Sequence, residues 1–291
     1  MTTVTSEIKK ETVIFGGTLG DAFITLCKLY SQHKLTGAHF RVIRYNLYDT
    51  LDPLIEEMFK ITPVAEYIVP YTRFDSLDDL YTAIKRYEHP YVNVRWEADE
   101  FESYKFDYIR SDPFPIFQLP EVDVDSSHLR VGIQLHCGSH RNFRGFSIRW
   151  LRGVRNYLPK DKFSIYLMGT GAGCYDKHEL ESLCKKYHIV NLVGKTKFTE
   201  YMGHIKRMDY FISLEGFGPL FAMSQRVKTL LFNQYPHGVG LTVHHKWYEN
   251  SRVIDLNSNV IKRKWLSIFN KKKLYSPGIP LDFFDANINN G

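Results

Sequence analysis

Strand-like and helix-like segments alternate along most of the chain, and this alternation limits the possible folds more than any other feature. Short apolar runs rich in β-branched residues, such as TVIF (12–15) and YFISL (210–214), read as buried strands. Segments with helical spacing of apolar residues, such as Ala22 to Tyr30 and Thr199 to Met208, lie between such runs. Strands that alternate with helices predict a parallel α/β sheet.

A break in this pattern divides the chain in two. Residues 111–127 contain three prolines and show no periodicity, which is typical of a linker. A chain of 291 residues is long enough for two domains that each bury a core. We therefore predict one α/β domain over residues 1–124, a second over 128–265, and a basic C-terminal tail over 266–291.

Composition excludes several classes of protein. Hydrophobic residues make up 44% of the chain and charged residues 24%, which are fractions typical of globular proteins. No apolar run is long enough for a membrane span or for the core of a signal peptide. The four cysteines are scattered without a CxxC pair, which favours free thiols in a reducing cytoplasm and gives no structural zinc site. We expect a cytoplasmic protein.

Charge is distributed unevenly between the two halves. Residues 1–125 carry a net charge of −8 and the remainder a net charge of +14. The second half is therefore the half that would attract an anion, although two differently solvated surfaces would give the same numbers.

A basic loop follows the first strand of the second half. The strand LRVGIQLHC (129–137) leads into a loop and a helix start that carry His140, Arg141, Arg144 and Arg149. A helix N-terminus with arginine beside it binds phosphate well, while a solvated basic loop is the simpler alternative. The GKT at Gly194 to Thr196 lacks the first glycine of a P-loop and does not by itself indicate one.

Four motifs in order resemble the family 9 glycosyltransferases, the heptosyltransferase family. They are GGTLGDAFITL (16–26), the pair Arg149–Trp150, LVGKT (192–196), and the Gly218–Pro219 turn that follows a helix and a short strand. The resemblance covers residues 12–236. The chain departs from the family where Glu215 replaces an aspartate, where one residue is inserted before Gly218, and where a histidine after the Gly-Pro pair is absent. Because of these departures, the resemblance does not identify the donor sugar.

The resemblance implies a GT-B architecture, in which two Rossmann-like parallel-sheet domains face a cleft. It implies an inverting transfer from a nucleotide-diphosphate sugar, with no metal and no other cofactor, in which the first domain binds the acceptor and the second the donor. It also allows the C-terminal tail to cross back to the first domain. The donor-binding residues that it implies are Ser139, Arg141, Arg144, Arg149, Lys195, Thr196, Glu215, Gly216, Gly218 and Pro219. The loop for acceptor and sugar would be Gly16, Gly17, Thr18 and Gly20.

Asp21 is the candidate catalytic base. It follows the glycine loop after the first strand, at the edge of the sheet where ligands of α/β proteins bind. A carboxylate there could take the proton of an acceptor hydroxyl. An acid at a helix start also caps the helix and faces its dipole, so both roles stay open.

Two acceptors fit the charge pattern. The first is a saccharide or glycolipid. The second is a hydroxylated pyrimidine base in DNA, which the missing histidine, the short chain and the basic C-terminal half suggest. Residues 260–276 carry six basic residues with interleaved aromatic residues, a pattern that suits either a phosphorylated glycolipid or a nucleic acid, although a helix with a solvated basic face would give the same pattern. A dinucleotide-dependent oxidoreductase is excluded because GGTLGD does not match Gly-x-Gly-x-x-Gly. A relative that binds nucleotide without turnover stays open.

Overall fold

The computed structural model describes residues 10–45, 51–62, 64–68, 115–137, 144–169, 175–233, 250–255, 273–275, 277 and 279–284. These residues form two compact units, and the first division between them falls between Leu119 and Pro120. The segment SLDDLYTAIKRY (76–87), whose sequence also predicts a helix, lies outside the described residues.

The first unit contains a parallel sheet with its strands in chain order. Its elements are β1 (Lys10–Gly16), α1 (Leu19–Thr36), β2 (His39–Tyr45), α2 (Asp52–Lys60) and β3 (Ala65–Ile68). The sheet order is β1-β2-β3, with Val13 opposite Val42. Val13, Ile14 and Phe15 are consecutive and fully buried, so both faces of β1 are covered, as parallel strands require. Helix α1 extends to Thr36 and ends at Gly37, which adopts a left-handed conformation with φ of 72°.

The second unit is built on a larger parallel sheet. Its elements are β4 (Leu129–Gln134), β5 (His136–Cys137), β6 (Arg144–Phe146), α3 (Ile148–Tyr157), β7 (Phe163–Met168), α4 (Lys177–Lys186), β8 (Ile189–Asn191), α5 (Phe198–Lys206), β9 (Tyr210–Leu214), α6 (Phe217–Ser224), β10 (Lys228–Asn233), β11 (Ser251–Asp255) and β12 (Lys273–Tyr275), followed by a 3-10 helix (Leu281–Phe283).

The strand order of this sheet is β8-β7-β4-β9-β10-β11, and all of its pairs are parallel. Numbered along the chain, these strands run 3-2-1-4-5-6, which is the order of the Rossmann fold. The prediction of two parallel α/β sheets is therefore confirmed. In such a sheet the chain changes direction between the first and fourth strands, here β4 and β9, and ligands bind at their carboxyl ends.

Residues 138–147, predicted as a polar loop, contain part of a second, small sheet. Arg144–Phe146 forms β6, which pairs with β5 in antiparallel and with β12 in parallel orientation. The partner strand β12 is contributed by the C-terminal segment, more than 120 residues away, so local sequence could not reveal the pairing. A second difference concerns residues 215–219, read as a turn, because α6 already begins at Phe217.

The described part of the C-terminal segment packs on the second unit. The indole Nε1 of Trp150 donates to the carbonyl of Pro277 at 2.6 Å. Phe283 and Phe284 are 3% and 2% exposed and belong to the same core as strands β4, β7, β9 and β10. The ring of Phe284 lies 5.0 Å from that of Tyr210 between centroids. This end of the chain therefore completes the core under the sheet.

We expect Phe284→Ala to lower the free energy of unfolding by about 3–5 kcal/mol, the usual cost of emptying a buried phenylalanine site. Urea denaturation measures this change. Asp282→Ala is the matched control, because Asp282 is exposed and forms a surface ion pair with Arg252 at 2.7 Å. The control should leave the urea midpoint almost unchanged. Equal midpoints for both variants would show that the C-terminal segment does not contribute to the core.

Candidate functional site

The glycine loop of the first unit places Asp21 at the start of α1. Strand β1 ends at Gly16, and α1 begins two residues after Gly17. The Asp21 carboxylate oxygen Oδ2 accepts from the Thr18 backbone N–H at 2.5 Å and from the Thr18 hydroxyl at 3.0 Å. Gly17 has φ of 126°, and a Cβ at this position would overlap the Asp21 carboxylate. The loop can therefore close over Asp21 only with glycine at position 17.

Burial and hydrogen bonding act on Asp21 in opposite directions. Burial raises the pKa of the carboxyl above its ordinary value, and the two hydrogen bonds from Thr18 partly oppose this change. The bonds also show that Asp21 caps α1, which is the structural role considered from the sequence. A carboxylate that is held by its neighbours, and whose pKa is raised above the ordinary value of an aspartate, is suited to accept a proton as well.

The second candidate region lies at the carboxyl ends of β4 and β9. Gln134 is the last residue of β4, and its Oε1 accepts from the Tyr201 hydroxyl at 2.8 Å. Its Nε2 donates to the carbonyl of His136 at 2.9 Å. Both hydrogen bonds are buried, so the Gln134 side chain is fixed where the two central strands end.

Helix α6 approaches this side chain with its backbone. A Cβ at Gly218, in the first turn of α6, would overlap Gln134 Oε1 and would lie 2.5 Å from the Tyr201 hydroxyl oxygen. Gly216 precedes the helix with φ of 149°, a conformation that favours glycine. Pro219 occupies the third helical position, where the missing N–H would have no partner within the helix. The two glycines thus allow the start of α6 to lie directly against the end of β4.

The starts of α5 and α6 lie side by side. Phe198 and Phe217 are the first residues of these helices, and their ring centroids are 5.1 Å apart. At α5 the Glu200 carboxylate accepts from the Lys197 backbone N–H at 2.8 Å. A carboxylate of the protein itself therefore already occupies the start of this helix. At α6 the N-cap residue is Gly216, which has no side chain to cap the helix. The first amides of α6 are therefore the ones suited to an external anion.

Other predicted donor residues occupy different places. Arg149 is exposed in the first turn of α3. Ser147 caps this helix, because its hydroxyl accepts from the backbone N–H of Trp150 at 3.2 Å. Lys195 lies in the loop between β8 and α5 and pairs with Glu181 at 2.5 Å. Both Lys195 and Glu181 are about half exposed.

The structure brings together Glu215, Gly216, Gly218 and Pro219 at the end of β9. It also brings together Gly16, Gly17, Thr18, Gly20 and Asp21 after β1. Thr196 lies half-buried just before α5, and Arg144 belongs to β6. Ser139 and Arg141 lie outside the described residues. The ion pair described for Lys195 is with Glu181 on α4 and not with the start of α6. Over the same residues, no group of three or more His, Cys, Asp or Glu side chains is arranged to hold a metal ion.

Sequence reasoning missed Gln134 and Tyr201. Gln134 was part of the predicted strand VGIQLHC, and a polar residue at the end of a buried strand was the available signal. Tyr201 lies on the buried side of α5, where an aromatic residue reads as ordinary core.

Comparison with known proteins identifies the fold. No family model matches the chain, and no curated protein matches it. A family 9 glycosyltransferase from Veillonella parvula is 10% identical over 86% of this chain and 87% of its own, with a TM-score of 0.52. The fold is that of a family 9 glycosyltransferase.

Two Escherichia coli structures share this family 9 fold. The ADP-heptose lipopolysaccharide heptosyltransferase II is 10% identical over 84% of this chain and 90% of its own, with a TM-score of 0.51. Heptosyltransferase WaaC with ADP is 12% identical over 84% of this chain and 93% of its own, with a TM-score of 0.52. The resemblance inferred from four short motifs is thereby confirmed at the level of the fold.

We expect Gly218→Ala to destabilise the second unit of this family 9 fold by about 1–3 kcal/mol, because the added methyl group overlaps the Gln134–Tyr201 hydrogen bond. Gly153→Ala is the matched control, since Gly153 is also helical and has open space at its Cβ position. The control should stabilise the protein by about 0.4–1 kcal/mol. Urea denaturation of both variants checks the pair, and a neutral Gly218→Ala would show that α6 does not approach β4 this closely.

Proposed function

We propose that this protein is a glycosyltransferase that moves a sugar from a nucleotide-diphosphate sugar to a hydroxyl group of a saccharide or glycolipid. The observation that carries the proposal is the start of α6, where Gly216 stands in place of a capping side chain, at the switch point of a Rossmann-order sheet in a chain with the family 9 fold. The second unit binds the donor, and Asp21 of the first unit is the base. The transfer inverts the anomeric centre and uses no metal.

The donor's diphosphate carries the charge that must be stabilised when the sugar leaves. The backbone amides at the start of α6 supply hydrogen bonds, and the helix start supplies the positive end of the helix dipole. Glu215, directly before this turn, takes the nucleotide ribose. Basic side chains supply the remaining charge. The residues proposed for this role and for the adjoining contacts are Ser139, Arg141, Arg144, Arg149, Lys195 and Thr196.

Asp21 supplies the second requirement of the reaction, a proton acceptor. The acceptor hydroxyl oxygen forms a bond to the anomeric carbon while the bond from that carbon to the diphosphate oxygen breaks. The hydroxyl proton goes to the Asp21 carboxylate, and the nucleoside diphosphate leaves with the electron pair. The raised pKa of Asp21 makes it a better base than an ordinary aspartate. Gly16, Gly17, Thr18 and Gly20 leave the backbone open to the acceptor and sugar.

A glycolipid is a better-supported acceptor than DNA. One compared structure is that of an ADP-heptose lipopolysaccharide heptosyltransferase, and another holds ADP. ADP-sugars are therefore the first donors to test, with lipopolysaccharide core oligosaccharides as acceptors. Of the basic segment 260–276, which suits either polyanion, the structure describes only Lys273–Tyr275, as strand β12. Nothing in the described residues favours DNA.

Asp21→Asn should lower turnover about 10²–10⁴-fold while leaving donor affinity unchanged, because asparagine keeps the shape of the side chain but cannot accept the proton. In the wild-type protein, turnover should fall as the pH drops through the pKa of Asp21. Since that pKa is raised, the fall begins at a higher pH than for an exposed aspartate. Release of nucleoside diphosphate, followed with a panel of ADP-, UDP- and GDP-sugars and oligosaccharide acceptors, measures both effects. Near wild-type turnover in Asp21→Asn would leave the residue only its capping role.

Arg149→Ala and Lys195→Ala should each weaken the binding of ADP by about 1.5–3 kcal/mol, the usual loss of a hydrogen bond to a charged group. Isothermal calorimetry with ADP measures this loss without an acceptor. Arg152→Ala is the matched control, because Arg152 is also exposed on α3, one turn further along the helix. Unchanged affinity in both test variants would place the diphosphate away from these side chains.

A further inference from the structure

A buried ion pair lies under the glycine loop of the first unit. Arg44, near the end of β2, is 1% exposed, and its Nη2 donates to Asp52 Oδ1 at 2.7 Å. The Tyr67 hydroxyl donates to the same oxygen at 2.5 Å. Burial and this hydrogen bond raise the pKa of Tyr67 well above its ordinary value, so the phenol stays protonated and keeps donating. The Asp52 carboxylate therefore accepts hydrogen bonds from both Arg44 and Tyr67, and Arg44 is held in one orientation.

The second terminal nitrogen of Arg44 reaches the loop. Its Nη1 donates to the carbonyl oxygen of Gly17 at 3.3 Å. The carbonyl of Gly17 and the N–H of Thr18 belong to one peptide unit, which is planar, and in the trans form they point in opposite directions. The Thr18 N–H is the group that donates to Asp21 Oδ2 at 2.5 Å. One rigid peptide thus joins the Arg44 guanidinium to the Asp21 carboxylate.

We propose that Arg44 is a positioning residue that fixes the Asp21 carboxylate through the Gly17–Thr18 peptide. The inference that this serves catalysis rests on the proposed function of Asp21 as the base. By binding the carbonyl of the peptide, Arg44 sets the direction of its N–H. Arg44 also polarises the peptide, which strengthens the N–H as a donor. Both Thr18 donors then meet the same carboxylate oxygen, and the rotation of the Asp21 side chain is set.

The choice of arginine at this position supports the proposal. A buried ion pair rarely stabilises a fold more than a well-packed apolar pair would, so stability alone gives little reason to keep one here. The planar guanidinium has several donors at fixed angles, and Arg44 uses one for Asp52 and another for Gly17. Lysine could keep the ion pair with Asp52, but its single nitrogen could not hold both partners in this geometry.

Two variants separate positioning from folding. Arg44→Lys keeps a positive charge beside Asp52 but loses the second terminal nitrogen, which donates to the Gly17 carbonyl. The double variant Arg44→Met with Asp52→Asn removes both charges, so that no unpaired charge is left buried, and the asparagine oxygen still accepts from Tyr67. Arg41→Gln is the matched control, because Arg41 lies on the same strand but is exposed and forms a surface ion pair with Glu66 at 3.9 Å. Thermal unfolding identifies the variants that retain the wild-type fold.

Titration of the Asp21 carboxyl carbon by NMR tests the positioning without any substrate. Protein labelled with ¹³C at aspartate is used, and Asp21→Asn assigns the signal. The Thr18 hydrogen bonds lower the pKa of Asp21, so loosening them in either Arg44 variant should raise that pKa. Arg41→Gln should leave the pKa unchanged. An unchanged Asp21 pKa in a folded Arg44 variant, or an equal change in Arg41→Gln, would overturn the proposal.

Turnover then connects positioning to function. In Arg44→Lys, kcat should fall about 10- to 100-fold, as expected for a small misplacement of a reacting group, and KM for the donor should change little. The acid limb of the pH profile should move to higher pH together with the Asp21 pKa, a change that a purely structural defect would not cause. Full turnover in a folded Arg44→Lys would overturn the catalytic part of the proposal. If Asp21→Asn itself kept full turnover while the titration still moved, the proposed base would be wrong and the positioning by Arg44 would stand.

Discussion

The second unit depends on the parallel pairing of β4 with β9, the contact at which the chain changes direction across its sheet. Arg130 and Asp209 fix the register of this pair at its amino end. The guanidinium of Arg130 donates to the two carboxylate oxygens of Asp209 at 2.9 and 2.8 Å, and its backbone N–H donates to one of them at 2.8 Å. Gly132 lets the strand pack tightly, since a Cβ there would lie 2.9 Å from both Met208 and Phe211. The places of Gln134 and of the start of α6 follow from strands that end together at the opposite edge.

That opposite edge shows how a site can be built mainly from backbone. Gln134 ends β4, Tyr201 holds its amide, and Gly218 places the first turn of α6 against both. The amides of α6 then lie at the switch point, with Gly216 in place of a capping side chain. A helix start of this kind stabilises a leaving phosphate without moving, because its dipoles are fixed by the fold before any ligand arrives.

The first unit uses a related device for the other half of the proposed reaction. Asp21 is held by the Gly17–Thr18 peptide, and this peptide is held in turn by the buried Arg44. In both units glycine allows the main chain to pass where a side chain would collide, and a buried polar residue fixes the main chain there. The cost of burying Arg44 and Gln134 is offset because each donates or accepts hydrogen bonds on two sides.

The sequence by itself determined the alternation of strands and helices, the two parallel sheets, and the glycine loop that places Asp21 after β1, because these depend on residues that are neighbours in the chain. It could not determine that the C-terminal segment adds β12 and Phe284 to the second unit, or that Arg44 supports Gly17. The sequence also missed the bond from Tyr201 to Gln134. These contacts join residues 27 to 129 positions apart. Hydrophobic periodicity and turn residues report only local conformation, whereas such pairs exist only once packing brings distant segments together, so the tertiary structure alone decided them.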